Sequence, residues 1–184
     1  MTSMLSASKR TILAAALIAT AFAPAFAMSG GDSNGGGSST PPVVCKKGWV
    51  WSKQVQRCVP ANSGSLDDKE RLDQGRALAL AGYYDNALAV LDTVTDKNNA
   101  EVLTYIGYSH RKMGDVDVGI GFYKQALAID PKNANTREYL GEGYLSIGKI
   151  ELARAELATI ETLCGNRECE QYEDLANALA GKPE

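Results

Sequence analysis

Residues 100–133, AEVLTYIGYSHRKMGDVDVGIGFYKQALAIDPKN, decide the fold. Leu103, Ile106 and Gly107 recur at the spacing of one helical face. Gly114 interrupts, and a second helical stretch carries Gly119, Tyr123 and Ala126 to Asp130-Pro131. The segment reads as two helices joined by a tight turn. Gly114 supplies the left-handed residue that ends the first helix, where the missing Cβ removes the steric cost. Pro131 cannot continue the second.

The same frame recurs on both sides. Shifted forward by 34 residues, Leu140, Gly141, Tyr144, Gly148, Ala153 and Leu157 fall in these places. Shifted back by 32, Gly75, Leu78, Gly82, Tyr84, Ala87, Leu91 and Val94 do so. A period near 34 residues belongs to helical-hairpin arrays, which present surface rather than perform chemistry. Gly75, Gly107 and Gly141 would let each first helix cross its partner closely, with the small Ala87, Gly119 and Ala153 opposite. One hairpin cannot bury its apolar face alone, so neighbours must stack. Helices are predicted over 67–81, 84–96, 100–113, 116–129, 134–147 and 150–163. Asp67 and Asp68 open the first, where negative charge is favoured. A last amphipathic helix, about 167–180, would turn Tyr172, Leu175, Ala176 and Leu179 inward and cover the final exposed stripe.

These residues resemble the tetratricopeptide repeat family, whose pattern is W-x2-L-G-x2-Y, then A-x3-F, then Pro. The middle repeat matches at Leu103, Ile106-Gly107, Tyr123, Ala126 and Pro131, and departs at His110 and Gly119. The third keeps Leu140-Gly141, Tyr144, Ala153 and Leu157 but has Arg137, Ile160 and Gly165 at other characteristic positions. The first has Gln74 in place of the leucine and no closing proline. The resemblance covers residues 66–165. It implies an all-α fold, a short right-handed solenoid of three helical hairpins, with residues 166–184 as capping helix and tail and a small disulfide loop, 45–60, N-terminal to it.

In the family the first helix of each hairpin lines a concave groove that holds a peptide or protein segment. Carried over, that implies a partner-binding set of Arg76, Tyr105, Tyr108, Arg111, Tyr139 and Glu142. Tyr105, Tyr108 and Tyr139 would form an aromatic centre, with Arg76 and Arg111 on one side and Glu138 and Glu142 on the other. Tyrosine gives a large contact area and arginine planar hydrogen bonding. The Lys, Asn, Asn, Lys, Arg clamp with which chaperone-binding members grip a C-terminal carboxylate is missing here, so that ligand is not expected. The other reading makes the repeats a spacer whose tyrosines cover neighbouring helices.

The first 27 residues read as a secretory signal peptide. Lys9 and Arg10 form the basic start, Thr11–Ala23 an apolar run too short to span a membrane comfortably, and Ala25-Phe26-Ala27 a small-x-small cleavage site. The processed chain would begin near Met28. Loss of Lys9 and Arg10 takes its formal charge from −3 to −5, which argues against nucleic acid as the main partner. Residues 28–44, rich in Gly and Ser and closing on Pro41-Pro42, read as a flexible linker.

In an exported chain Cys45 and Cys58 read as a disulfide around a two-stranded turn too small for a core of its own. Alternation puts Trp49 and Trp51 on one face. Those rings would contact a glycan or protein, helped by Lys46, Lys47, Lys53 and Arg57, or else cover the disulfide or dock onto the first repeat. A zinc site would need two more ligands. Cys164 and Cys169 flank the turn into the last helix. A bridge there would pin the cap, and a redox pair is the other reading, although the spacing is not Cys-x-x-Cys.

No catalytic constellation is recognisable. The lone His110 falls at a packing position, no nucleophile sits in an elbow, and Glu138, Glu142 and Glu151 have the spacing of a solvated face. No metal or cofactor is expected. The expected function is therefore a non-enzymatic adaptor or scaffold of the bacterial cell envelope, most simply periplasmic, with no stable membrane insertion. The alternative is an envelope module that contacts cell-wall glycan through the Trp49/Trp51 loop.

Overall fold

The computed structural model describes residues 42–182, so the expected signal peptide and most of the expected linker lie outside the described residues. A short hairpin comes first, β1 (Trp49–Ser52) and β2 (Arg57–Pro60). Six helices follow as three antiparallel pairs: α1 (Asp68–Leu80) with α2 (Tyr84–Leu91), α3 (Ala100–Met113) with α4 (Val116–Ile129), and α5 (Ala134–Ser146) with α6 (Ile150–Cys164). The last helix is α7 (Glu170–Leu179). Each pair packs on the next, and α7 packs on α5 and α6. The tetratricopeptide-like solenoid expected from the 34-residue period is the observed fold.

Local chemistry sets the helix ends. Asp67, Asn99 and Asn133 precede α1, α3 and α5 in extended conformation, and each side chain accepts a hydrogen bond from the first turn. These caps satisfy backbone donors that have no partner inside the helix. At the other end of α3, Gly114 adopts φ +99° and its N–H bonds back to the last turn, so α4 can start two residues later.

Packing within the α3/α4 pair depends on the glycine frame. At Gly107 an added Cβ would lie 2.9 Å from both the Gly119 carbonyl oxygen and the Tyr123 ring. The α3 and α4 backbones thus approach closer than any side chain permits. Gly141 differs from the expected hairpin crossing. The atoms nearest its missing Cβ belong to Leu175 of α7, at 2.5 Å, so this glycine seats the terminal helix.

Two helices differ from the sequence expectation. α2 stops at Leu91 rather than running to residue 96. Thr93 Oγ1 donates to the Val90 and Ala61 carbonyls, while the Asp68 carboxylate accepts from Thr95 N at 2.9 Å, from Thr95 Oγ1 and from Asp96 N at 3.3 Å. These competing bonds pull the chain off the helical path. α7 begins at Glu170 rather than near 167, because the bridged turn Cys164–Cys169 occupies the intervening residues.

The N-terminal hairpin shares its core with the first repeat. Val50 pairs with Val59, and both are buried with Ala61, Leu66, Leu78, Leu91 and Val94. The Cys45–Cys58 disulfide closes the hairpin, and Asn86 of α2 donates to the Cys45 carbonyl at 2.8 Å. Residues 61–65, which lead from the hairpin into α1, are held down by α1. Buried Arg71 donates through Nε to the Ala61 carbonyl and through a terminal guanidinium nitrogen to the Ser63 carbonyl, both at 2.9 Å. Of the readings for Trp49 and Trp51, docking onto the first repeat describes the hairpin itself. Its Val50/Val59 face is the buried one, and the two rings are half-buried, with Lys46 Nζ 4.0 Å from the Trp49 ring centroid.

Candidate functional site

A cleft of about 490 Å³ opens between α3, α5 and α7. Helical spacing builds each wall. Tyr108 and Lys112 stand one turn apart on α3, as do Glu138 and Glu142 on α5 with Tyr139 beside them. Asp174, Asn177 and Ala178 share one face of α7, and Lys182 follows that helix.

The tyrosines form a connected row. The Tyr108 centroid is 4.9 Å from Tyr139, 6.3 Å from Tyr84 and 6.5 Å from Tyr105, and Tyr139 lies 6.2 Å from Tyr123. Offset and edge contacts of this kind add to simple burial. Tyr105 is only 4% exposed and Tyr123 is fully buried, so they pack behind Tyr108 and Tyr139, which line the cleft. Burial holds the Tyr105, Tyr123 and Tyr139 hydroxyls neutral well beyond physiological pH, most strongly at Tyr139.

Arg111 links the repeats beneath the cleft. Its guanidinium pairs with the Glu142 carboxylate, its Nε donates to the Tyr123 hydroxyl at 3.3 Å, and it lies 5.6 Å from the Tyr108 ring and 5.9 Å from that of Tyr139. Both members of the ion pair are nearly buried, at 8% and 10% side-chain exposure. A second buried link, Thr104 Oγ1 to Thr136 Oγ1 at 2.7 Å, also joins α3 to α5.

Five of the six expected groove residues come together. Tyr105, Tyr108, Arg111, Tyr139 and Glu142 form one cluster, whereas Arg76 sits at its edge, 5.6 Å from the Tyr105 ring and 3.7 Å from Glu101. Two expectations need correction. Arg111 and Glu142 do not face each other across an open groove, because they are an ion pair on adjacent repeats. Glu138 and Glu142 are not on a solvated face. Glu138 is 5% exposed, while Glu151 does have a 90% exposed side chain. Burial, reinforced by Glu142, Asp174 and Glu170, pushes the Glu138 carboxyl up to about 9 despite Arg111. His110 matches its expected packing role, half-buried and stacked on Phe122 at 5.7 Å.

Sequence reasoning missed the α7 wall. The sequence turns only Tyr172, Leu175, Ala176 and Leu179 of that helix inward, yet Asp174 and Asn177 line the cleft. The signal was present in the i, i+3, i+4 spacing of Asp174, Asn177 and Ala178. Its use depended on knowing that Leu175 docks at Gly141, which turns those residues toward α5.

No family model matches the chain. Over 88 residues it is 35% identical to the cellulose synthase operon protein C of Pseudomonas fluorescens (strain SBW25). Over 90 residues it is 34% identical to the superkiller complex protein 3 of Mus musculus. These stretches are 42% and 45% of the chain but only 7% and 6% of the relatives' lengths. The type III secretion translocator chaperone SycD of Yersinia enterocolitica superposes with a TM-score of 0.53 at 18% identity, covering 62% of this chain and 86% of SycD. MamA gives 0.53 at 20%, covering 62% and 67%. PcrH, solved in complex with the chaperone-binding region of PopB, gives 0.51 at 16%, covering 62% and 92%. The stacked pairs, the glycine frame and these superpositions together establish a tetratricopeptide-like helical repeat fold.

Proposed function

We propose that this protein is a protein-interaction adaptor or scaffold that holds a segment of its partner in the α3/α5/α7 cleft, without catalysing a reaction. The observation that carries the reading is the exposure pattern of the tyrosine row. Buried Tyr105 and Tyr123 back the row, and Tyr108 and Tyr139 present aromatic surface in the cleft beside charged groups from three helices. Aromatic anchors of this kind dominate binding energy at protein interfaces. The likeness to PcrH, whose structure contains a region of PopB, supports the choice of a protein segment as ligand.

The leader-like residues 1–27 and the two disulfides support export, with the periplasm as the site of action. Among the described residues no helix is long and apolar enough to cross a membrane. The glycan alternative has less support, because Lys46 already stacks on Trp49 and the other face of the hairpin is committed to the repeat core.

Affinity capture from the native envelope identifies the partner, and a purified pair then tests the cleft. Replacing Tyr108 and Tyr139 by alanine is expected to weaken binding by about 2 kcal/mol or more, roughly thirtyfold. Undiminished affinity in a variant with native circular dichroism rejects the cleft as the binding site.

A further inference from the structure

We propose that the cleft takes a basic side chain, lysine or arginine, of the bound segment, with the Glu138 carboxylate as its counter-ion and the Tyr108 and Tyr139 rings as its walls. The inference rests on the proposed segment binding and adds the chemistry of what is bound.

Glu138 is 5% exposed and lines the cleft, and among the described residues no hydrogen bond or ion pair reaches its carboxyl. Its oxygens reach only the cleft, and a carboxyl this deep with no protein partner is costly to ionise, so a cation entering the cleft would supply the missing partner. The neighbouring groups decide the sign of the ligand. Glu142 on the same helix is engaged by Arg111. Glu170 and Asp174 face the site from α7. Tyr105, Tyr108, Arg111 and Lys112 approach from α3, Tyr139 from α5, and Lys182 lies at the rim with its Nζ 3.2 Å from Asn177 Oδ1. Carboxyl groups outnumber ammonium groups here: Glu138, Glu142 and Asp174 line the cleft with Glu170 close by, against Lys112 and Lys182, and the Arg111 guanidinium is already committed to Glu142. A cation would meet a carboxyl with nothing opposite it and two aromatic faces. Arg111 already lies within 6 Å of both rings from below, which shows that they accommodate positive charge.

Binding then has a proton balance. At neutral pH Glu138 carries a proton, since its value lies near 9. An incoming ammonium or guanidinium stabilises the carboxylate, and the carboxyl proton leaves to solvent. One proton released per cation bound makes affinity rise about tenfold per pH unit between pH 6 and 8, levelling off as Glu138 ionises by itself.

The test uses the folded protein and four small probes at millimolar concentration: N-acetyl-arginine amide and N-acetyl-lysine amide, with the neutral N-acetyl-citrulline amide and N-acetyl-norleucine amide. Carbon NMR of the Glu138 carboxyl, assigned by its loss in Glu138→Gln, reads the titration directly. The charged probes should lower the Glu138 midpoint, shift the Tyr108 and Tyr139 ring signals, and bind about tenfold more tightly per pH unit. Equal effects from the neutral probes, an affinity flat with pH, or no perturbation of Glu138 by either charged probe overturns the inference. The two proposals fail separately. Partner binding that is lost with Tyr108 and Tyr139 but unchanged in Glu138→Gln, at both pH 6 and pH 8, leaves the cleft as the binding site and removes its preference for a cation.

Discussion

The two ends of the array solve the same problem with different material. Each terminal repeat leaves an apolar stripe that would otherwise face water. At the N-terminal end a two-stranded hairpin lays Val50 and Val59 on the core of α1 and α2, and Cys45–Cys58 closes it. At the C-terminal end α7 drives Leu175, fully buried, against Gly141, and Cys164–Cys169 closes the turn before it. The hairpin only covers. The helix covers and also turns a polar face into the cleft. An end that must also carry function is better made of a helix, because a helix presents separate faces to core and ligand while a four-residue strand has little face to spare.

The largest expected effect comes from breaking the helical end. Leu175→Ala removes a fully buried side chain from a site that a rigid glycine backbone cannot collapse to fill, and should cost about 2–5 kcal/mol. Amide hydrogen exchange should show the opening concentrated in α7, with partner binding lost at the same time. Val59→Ala is the matched change at the other end. It should destabilise the hairpin while leaving cleft affinity within a factor of about two, since no cleft residue comes from that end. Loss of cleft binding in the hairpin variant would erase the proposed division of labour.

The disulfides sharpen the same contrast at smaller cost. In the chain-entropy model the Cys45–Cys58 loop contributes about 3 kcal/mol and the shorter Cys164–Cys169 loop about 2 kcal/mol. Serine replacement of each pair, followed by denaturant unfolding, should give that order of stabilities. Only the second replacement should weaken ligand binding, because only that loop positions a wall of the cleft.

The repeat frame was legible because its determinants are local. Gly114, Asn99 and Asn133 set helix ends through their own backbones and the next turn, so a single hairpin's sequence suffices. The cluster of Tyr105, Tyr108, Arg111, Tyr139 and Glu142 was legible for a related reason, since the period maps equivalent positions onto one surface. Their burial was not legible. Glu138 has the spacing of a surface residue and is exposed on an isolated α5. α3 and α7 close around it, and α7 lies outside the repeat frame. The end of α2 was hidden in the same way, because Asp68 draws residues 95–96 from the far side of the first hairpin.

The smallest effects are electrostatic, and they have opposite signs at the two ends. Hydrogen bonds from Thr95 first, then from Arg71 and Asp96, lower the Asp68 carboxyl from 3.8 to about 2. A depressed acid contributes stability that is complete above its unfolded value and lost on acidification, so this contribution should fade as pH drops from 3.8 toward 2. Glu138 is raised from 4.5 to about 9, so the folded state holds a proton that the unfolded state has released. Its sign is reversed: stability should fall as pH rises from 4.5 toward 9. Melting temperatures of the parent, Asp68→Asn and Glu138→Gln across pH 2–9 separate the two. The Asp68 variant should lose its deficit relative to the parent at the acid end. The Glu138 variant should gain on the parent toward the alkaline end, because its side chain has no charge to bury. A Glu138→Gln curve parallel to that of the parent above pH 5 would mean that Glu138 is ionised in the folded protein. A cation would then have no proton to displace, and the cleft would bind it with no dependence on pH.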